Sequence, residues 1–286
     1  MPPMLFAGFA RPPADKSNLS LSSPAMENMH KLISPILVAL TLWSGIAARE
    51  LPVAIPEDVG MSSAKLAKVD EVLKGFVAER KLAGGIVAIA RKGKIVHFET
   101  YGKMDLERDK PMKADSIFRI YSMTKPIICV ALMTLFDQGR FQLADPVAKF
   151  IPAFNDLKVL ESDEKGEAKE VDLARPPTIR SLLTHTSGLS YDFLEDFSVA
   201  ELYRQTGILN NTERNLEELV HELSRLPLAF QPDSNWHYSL GIDVAARLIE
   251  IISGQTLEQF LKENIFDPLG MVDTGFSVAP EEQHRI

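Results

Sequence analysis

The chain has 286 residues, a formal net charge of −8, 45% hydrophobic and 24% charged residues, the balance of a folded soluble protein. The acidic balance speaks against nucleic acid as a partner. The single cysteine, Cys129, excludes an internal disulfide framework and any cysteine-rich metal site.

In chain order, residues 1–48 read as a leader. Residues 1–25 are rich in Pro, Ser and Ala and show no sustained period. From Met29 the pattern changes to His30-Lys31, an apolar core over 32–46, then Ala47-Ala48 ahead of Arg49-Glu50. That is the order of a secretory signal, and 32–46 is short for a membrane span. The expectation is a periplasmic or secreted protein, with peripheral membrane contact through the leader as the other use of this segment. The folded domain is expected over 49–286, its last readable element being Asp267-Pro268-Leu269-Gly270-Met271.

Residues 63–77 predict an amphipathic helix with Leu66, Val69, Leu73, Phe76 and Val77 on one face. Residues 86–90 and 94–101 predict two strands joined at Lys92-Gly93, a hairpin signal. His97 alternates along the second strand and has no second histidine at metal spacing, which makes it a packing residue. One helix and one hairpin point to an antiparallel sheet with helices packed on it.

Ser122-Met123-Thr124-Lys125 then opens the apolar run 127–136, a helix expected to be buried and to end at Gly139. Ser122 and Lys125 share one face, a turn apart. A serine hydroxyl becomes nucleophilic when a base takes its proton, and a lysine does so only when neutral. Burial and the positive end of the helix dipole both disfavour the ammonium. The Ser122 N–H is placed to stabilise an oxyanion. Ser-x-x-Lys recurs at Ser62…Lys65 and Ser162…Lys165, but the first reads as a helix cap and the third lies in the charge run 161–172, expected to be an exposed loop. Cys129, seven residues past Ser122, reads as an inert core thiol.

Thr178 is expected to cap a short helix over 179–183, which runs into Thr184-His185-Thr186-Ser187-Gly188. His185 and Ser187, two apart in a turn, fit a structural role better than a Ser–His pair. Residues 215–226 predict an amphipathic helix. The loop Asp233-Ser234-Asn235-Trp236-His237-Tyr238-Ser239-Leu240-Gly241 leads into a helix over 242–253, and a capping box at Thr256 and Gln259 opens another over 256–264. A tyrosine at such a junction projects its phenol into a cleft, where it can pass protons between Ser122 and a leaving group. His237 is the weaker alternative for that shuttle.

Taken in this order, Ser122-Met123-Thr124-Lys125, residues 182–189, Trp236-His237-Tyr238-Ser239 and Phe266-Asp267-Pro268-Leu269-Gly270-Met271 resemble the serine β-lactamase-related superfamily, in particular the class C β-lactamase-like (family VIII) carboxylesterases. The resemblance runs from about residue 51 to the end. It implies an α/β (α+β) fold of the β-lactamase/transpeptidase kind, an antiparallel sheet flanked by helices plus a mostly helical domain. It implies an acyl-enzyme mechanism with Ser122 as nucleophile and Lys125 and Tyr238 as the proton-handling groups, which of the two is the base being left open. Tyr121, Trp236 and Leu240 are placed against the substrate. No metal or organic cofactor is implied. The substrate is a small ester or β-lactam, short-chain carboxylic esters first, with β-lactam hydrolysis or D-alanyl-D-alanine cleavage as the alternative and a non-turnover penicillin-binding sensor or inactive relative as the other class.

Two departures shape that choice. The class C enzymes have Tyr-x-Asn, and here the third position is Leu240, which offers no amide to an acylamino side chain. Relatives also carry a further strand with a Lys-Thr-Gly-like motif beyond the position of Ile286, so the chain is expected to lack the C-terminal sheet strands.

Overall fold

The computed structural model describes residues 6–8, 51–162, 167–194, 198–210 and 213–286. The leader readings, including the signal-like segment 29–48, and Lys165 of the third Ser-x-x-Lys lie outside these residues, apart from a three-residue strand β1 (Phe6–Gly8). The chain divides into two compact units.

The first unit is built on α1 (Ser63–Ala78) and the hairpin β2 (Gly84–Arg91) and β3 (Lys94–Asp105). Ser62 caps α1, its hydroxyl accepting from the Lys65 N–H at 3.3 Å, so this Ser-x-x-Lys is a helix start. Leu66 is buried on the expected face, with Val69, Leu73 and Val77 half-buried along the same stripe, whereas Phe76 is exposed. Lys92 and Gly93 both have positive φ, 50° and 70°, a turn whose twist suits two antiparallel strands. The strands pair from Gly84↔Gly102 to Arg91↔Lys94, with an irregularity at Ile89/Ala90, and β4 (Lys110–Pro111) adds briefly to β3. At the open end the backbones touch: a Cβ on Gly102, at φ +63°, would stand 2.3 Å from the Ala83 carbonyl oxygen. On this sheet His97 Nε2 lies 3.2 Å from Asp70 Oδ1 and 3.4 Å from Tyr101 Oη, and the Tyr101 hydroxyl donates to Asp70. His97 is thus held by its neighbours, in a packing role. Near the chain end, Arg285 grips Asp273 through both guanidinium nitrogens at 2.8 and 2.6 Å and donates to the Asp115 carbonyl at 2.8 Å.

A short strand β5 (Ile117–Arg119) leads out of the hairpin region. The second unit holds Arg119–Asp267 and Thr274–Ser277. Its centre is α2 (Thr124–Asp137), which follows a 3₁₀ turn at Tyr121–Met123. This helix is less enclosed than its apolar sequence predicts. Ile128, Ala131, Leu132 and Leu135 are buried, and Pro126 and Val130 are exposed. Gly139, at φ +70°, ends it.

The charge run is the clearest departure. Most of its described residues lie in a ribbon, β6 (Lys158–Ser162) paired with β7 (Ala168–Asp172). Val159, fully buried, stands opposite Val171, Lys158 pairs with Asp172 beside them, and further along the ribbon the exposed Glu161 stands opposite Lys169. Leu228 extends the ribbon, its N–H donating to the Lys158 carbonyl at 2.8 Å.

The helices α3 (Ile179–Leu183), α4 (Val199–Thr206), α5 (Leu216–Leu223), α6 (Gly241–Ser253) and α7 (Leu257–Leu261) complete the unit. Thr178 and Asn215 cap α3 and α5 with reciprocal bonds from Ser181 and Glu218. At α7 only half of the expected box forms. Thr256 accepts from the Gln259 N–H, but the Gln259 amide turns to Glu263. The helix α6 packs against α2, α3 and α5, with Val244, Ala245, Leu248 and Ile249 buried.

Candidate active site

Three local structures of the second unit bring the reactive groups together. The first is the 3₁₀ turn before α2. Tyr121 sits there at φ 44°, a left-handed conformation that is uncommon for a bulky residue. That kink turns Ser122 outward, and Ser122 is exposed. One helical turn on, Lys125 Nζ stands 3.3 Å from Ser122 Oγ.

The second is the loop before α6. Tyr238 Oη donates to Ser122 Oγ at 2.6 Å. The loop is zipped onto the segment after α3. His237 N–H donates to the His185 carbonyl at 2.8 Å, Asp233 N–H to the Thr186 carbonyl at 2.8 Å, and Thr186 Oγ1 to Asp233 Oδ1 at 2.9 Å. His237 points away from the reactive serine. Its Nε2 lies 2.9 Å from the buried Ser190 hydroxyl, so it serves as a tie and not as a proton shuttle.

The third is the segment after α3. His185, at φ 57°, accepts the Ser239 N–H on Nδ1 at 3.3 Å and packs its ring 4.8 Å from the Tyr238 ring. Burial, then the charge of Lys125, hold its imidazole below its ordinary pKa, so the neutral ring is the acceptor. Tyr191 stacks on Tyr238, with centroids 5.5 Å apart and planes 28° apart. Two rings therefore pack on Tyr238 while its hydroxyl reaches Ser122. Lys125 Nζ lies 4.6 Å from the Tyr238 centroid and 5.5 Å from that of Tyr191, against faces that attract an ammonium.

The structure thus brings Ser122, Lys125 and Tyr238 within contact of one another and places Tyr121, 57% exposed, on the wall of the same cavity. It places Trp236 at the rim, 62% exposed, edge-on to His185 at 6.2 Å and off the cavity wall. Leu240 is a correction. Its side chain is fully buried and does not line the cavity, because α6 starts at Gly241 and its N-cap residue turns inward to the core.

Sequence reasoning missed Tyr191 and Asp243. Both line the cavity of about 600 Å³ that opens at Ser122. Burial raises the Tyr191 phenol, and it raises the Asp243 carboxyl to about 6 against the opposing pull of Lys125. Asp243 reads in sequence as an acid complementing a helix N-terminus. Its position five residues past Tyr238, in the first turn of α6, was the available signal. Among the described residues no cluster of acids, histidines or cysteines has metal-binding geometry.

Esterase EstB of Burkholderia gladioli is 34% identical over 236 residues, 81% of this chain and 57% of that protein. The lovastatin esterase of Penicillium rubens is 33% identical over 221 residues, 76% of this chain and 54% of that protein. The chain spans about half the length of the curated relatives it matches. Among solved structures, EstCE1, described as a hydrolase with promiscuous acyltransferase activity, superposes with a TM-score of 0.66 at 31% identity, over 77% of this chain and 55% of that one. The fold is β-lactamase/transpeptidase-like, mixed helix and antiparallel sheet. A family model described as Beta-lactamase matches residues 69–286, and the chain belongs to that family.

Proposed function

We propose that this protein is a serine hydrolase that cleaves small carboxylic esters of short acyl chains through an acyl-enzyme on Ser122. The observation that carries the reading is convergence: one hydroxyl, Ser122 Oγ, contacts both Lys125 Nζ at 3.3 Å and Tyr238 Oη at 2.6 Å. Two groups able to hold a proton thus meet one nucleophile. Esters are favoured because two relatives that match most of this chain are named esterases.

In the proposed reaction the Ser122 proton passes to Lys125 or Tyr238 as Oγ attacks the ester carbonyl carbon. Lys125 Nζ stands against the Tyr238 and Tyr191 ring faces, which keep it beside the serine as the proton moves. The tetrahedral oxyanion is met by the Ser122 N–H at the start of the α2 turn. Collapse breaks the bond to the alkoxy oxygen, which leaves as the alcohol with the stored proton. Water then attacks the acyl carbon, giving its proton to the same pair; the bond from that carbon to Ser122 Oγ breaks, Oγ takes the proton back, and the carboxylic acid departs. An alcohol in place of that water gives acyl transfer, a second reading favoured by the acyltransferase activity in the description of EstCE1.

Export is proposed with it, supported by the basic, apolar and small-residue order of 29–48. The test of function is incubation with p-nitrophenyl butyrate, nitrocefin and a fluorophosphonate, followed by intact mass. Ester turnover with a Ser122 adduct supports the reading. Nitrocefin turnover alone moves it to β-lactams, and a stable adduct without turnover moves it to a penicillin-binding sensor.

A further inference from the structure

The cavity does not end at the reacting atoms. Both α2 and α6 begin at the Ser122–Tyr238 contact and pack against each other. Lys125 and Asp243 stand in the first turn of their helices, and Ile128 and Ala246 one turn further; all four line the cavity. Three residues of helix rise about 4.5 Å, which sets the spacing of these two levels. One turn past Lys125 and Asp243 the two helices offer the aliphatic Ile128 and Ala246, and Leu216, Ile242 and Leu257 add to the apolar wall of the same cavity. A carboxyl therefore stands between the reactive serine and an aliphatic chamber. Among the described residues it has no salt bridge, and its only hydrogen-bond partner is its own backbone.

Such a chamber fits the hydrocarbon part of an ester, and each added methylene buried in it is worth about a fourfold gain in binding. The carboxyl opposes this, because a hydrocarbon chain passing it strips its water and offers nothing in return. We propose that Asp243 sets the acyl-chain limit of this site, letting a short acyl group seat on Ser122 without reaching it and excluding chains long enough to run past it into the chamber. This rests on the reading of Ser122 as the acylated residue. Asp243 is assigned here to chain-length selection and not to the proton transfers.

The experiment compares kcat/KM for p-nitrophenyl octanoate and butyrate in the wild-type chain, Asp243→Leu and Asp243→Asn. The octanoate-to-butyrate ratio should rise at least about tenfold in Asp243→Leu, since four methylenes then gain the chamber at about fourfold each, and by less in Asp243→Asn. The ratio is taken within one sample, so partial unfolding or a general change at Lys125 cancels. If Asp243→Leu does not fold, the near-isosteric Asp243→Asn and a pH series on the wild type carry the test. The wild-type ratio should be higher at pH 5, with the carboxyl neutral, than at pH 8, and Asp243→Asn should lack that change. The titratable groups around the carboxyl are Lys125 on α2, Tyr121 before it, Tyr191 and Asp192 after α3, and Tyr238 before α6. Turnover with an unchanged ratio in both variants overturns this inference alone. A wild-type chain that cleaves neither ester overturns the reading of the site and this inference with it.

Discussion

The Tyr238 hydroxyl stands 2.6 Å from Ser122 Oγ across 116 residues of sequence. The contact is held by packing more than by the bond itself. Tyr191 and His185 both pack on the Tyr238 ring, and His185 also fixes the backbone of the next residue, Ser239. Removing the hydroxyl while keeping the ring isolates its chemistry. Tyr238→Phe should fold with unchanged thermal stability and lose about 10²- to 10⁴-fold in kcat/KM for p-nitrophenyl butyrate. A loss below about tenfold removes Tyr238 from the proton path.

His185 gives the activity an acid limb. Its Nδ1 accepts the Ser239 N–H only when unprotonated, and its folded pKa lies below the unfolded value of 6.5. The stability it contributes is therefore complete above 6.5 and lost as pH falls through the folded pKa. The kcat/KM profile should drop on that side with Tyr238 loosened. His185→Asn, which presents an acceptor that does not titrate there, should flatten the limb; an unchanged limb assigns it elsewhere.

Asp243 acts on stability with the opposite sign. Burial raises its folded pKa to about 6 from 3.8, so its favourable contribution is present below the unfolded value and disappears as pH rises through 6. In urea unfolding, the wild type should lose stability relative to Asp243→Asn between pH 4 and pH 7. A difference that stays flat over that range contradicts a carboxyl whose pKa is raised in the folded chain.

Gly102 tests the first unit. At φ +63°, with a Cβ position 2.3 Å from the Ala83 carbonyl oxygen, it admits no side chain without moving the strand. Gly102→Ala should destabilise by at least about 1–3 kcal/mol, whereas Gly93→Ala, at a turn with open space, should cost less. Chemical denaturation of the two variants orders them.

The sequence was most legible where local chemistry and tertiary role coincide. Thr178 and Ser62 are caps in sequence and in structure, and Lys92-Gly93 is a turn by the conformation it needs. Ser122 and Lys125 were legible because helical pitch alone puts them on one face. Tyr238 was reachable only by its place at the end of a loop before a helix. The failures are places where period or polarity meant two things. The charges of β6 and β7 read as a solvated loop because β7 is exposed at every position but Val171 and carries no period-2 alternation. The helix α4 passes unread because its polar face outweighs Val199, Ala200 and Tyr203. Leu240 was assigned by position beside Tyr238, yet the start of α6 rotates it into the core. Tyr191 carried no local signal at all, since its role exists only through its stacking on Tyr238.

The most direct measurement is intact mass with peptide mapping after reaction with a fluorophosphonate, on the wild type, Ser122→Ala and Ser62→Ala. The account predicts one adduct on Ser122 in the wild type and in Ser62→Ala, none in Ser122→Ala, and protection by p-nitrophenyl butyrate. Equal labelling of the three proteins, or an adduct mapped to any other serine, contradicts it.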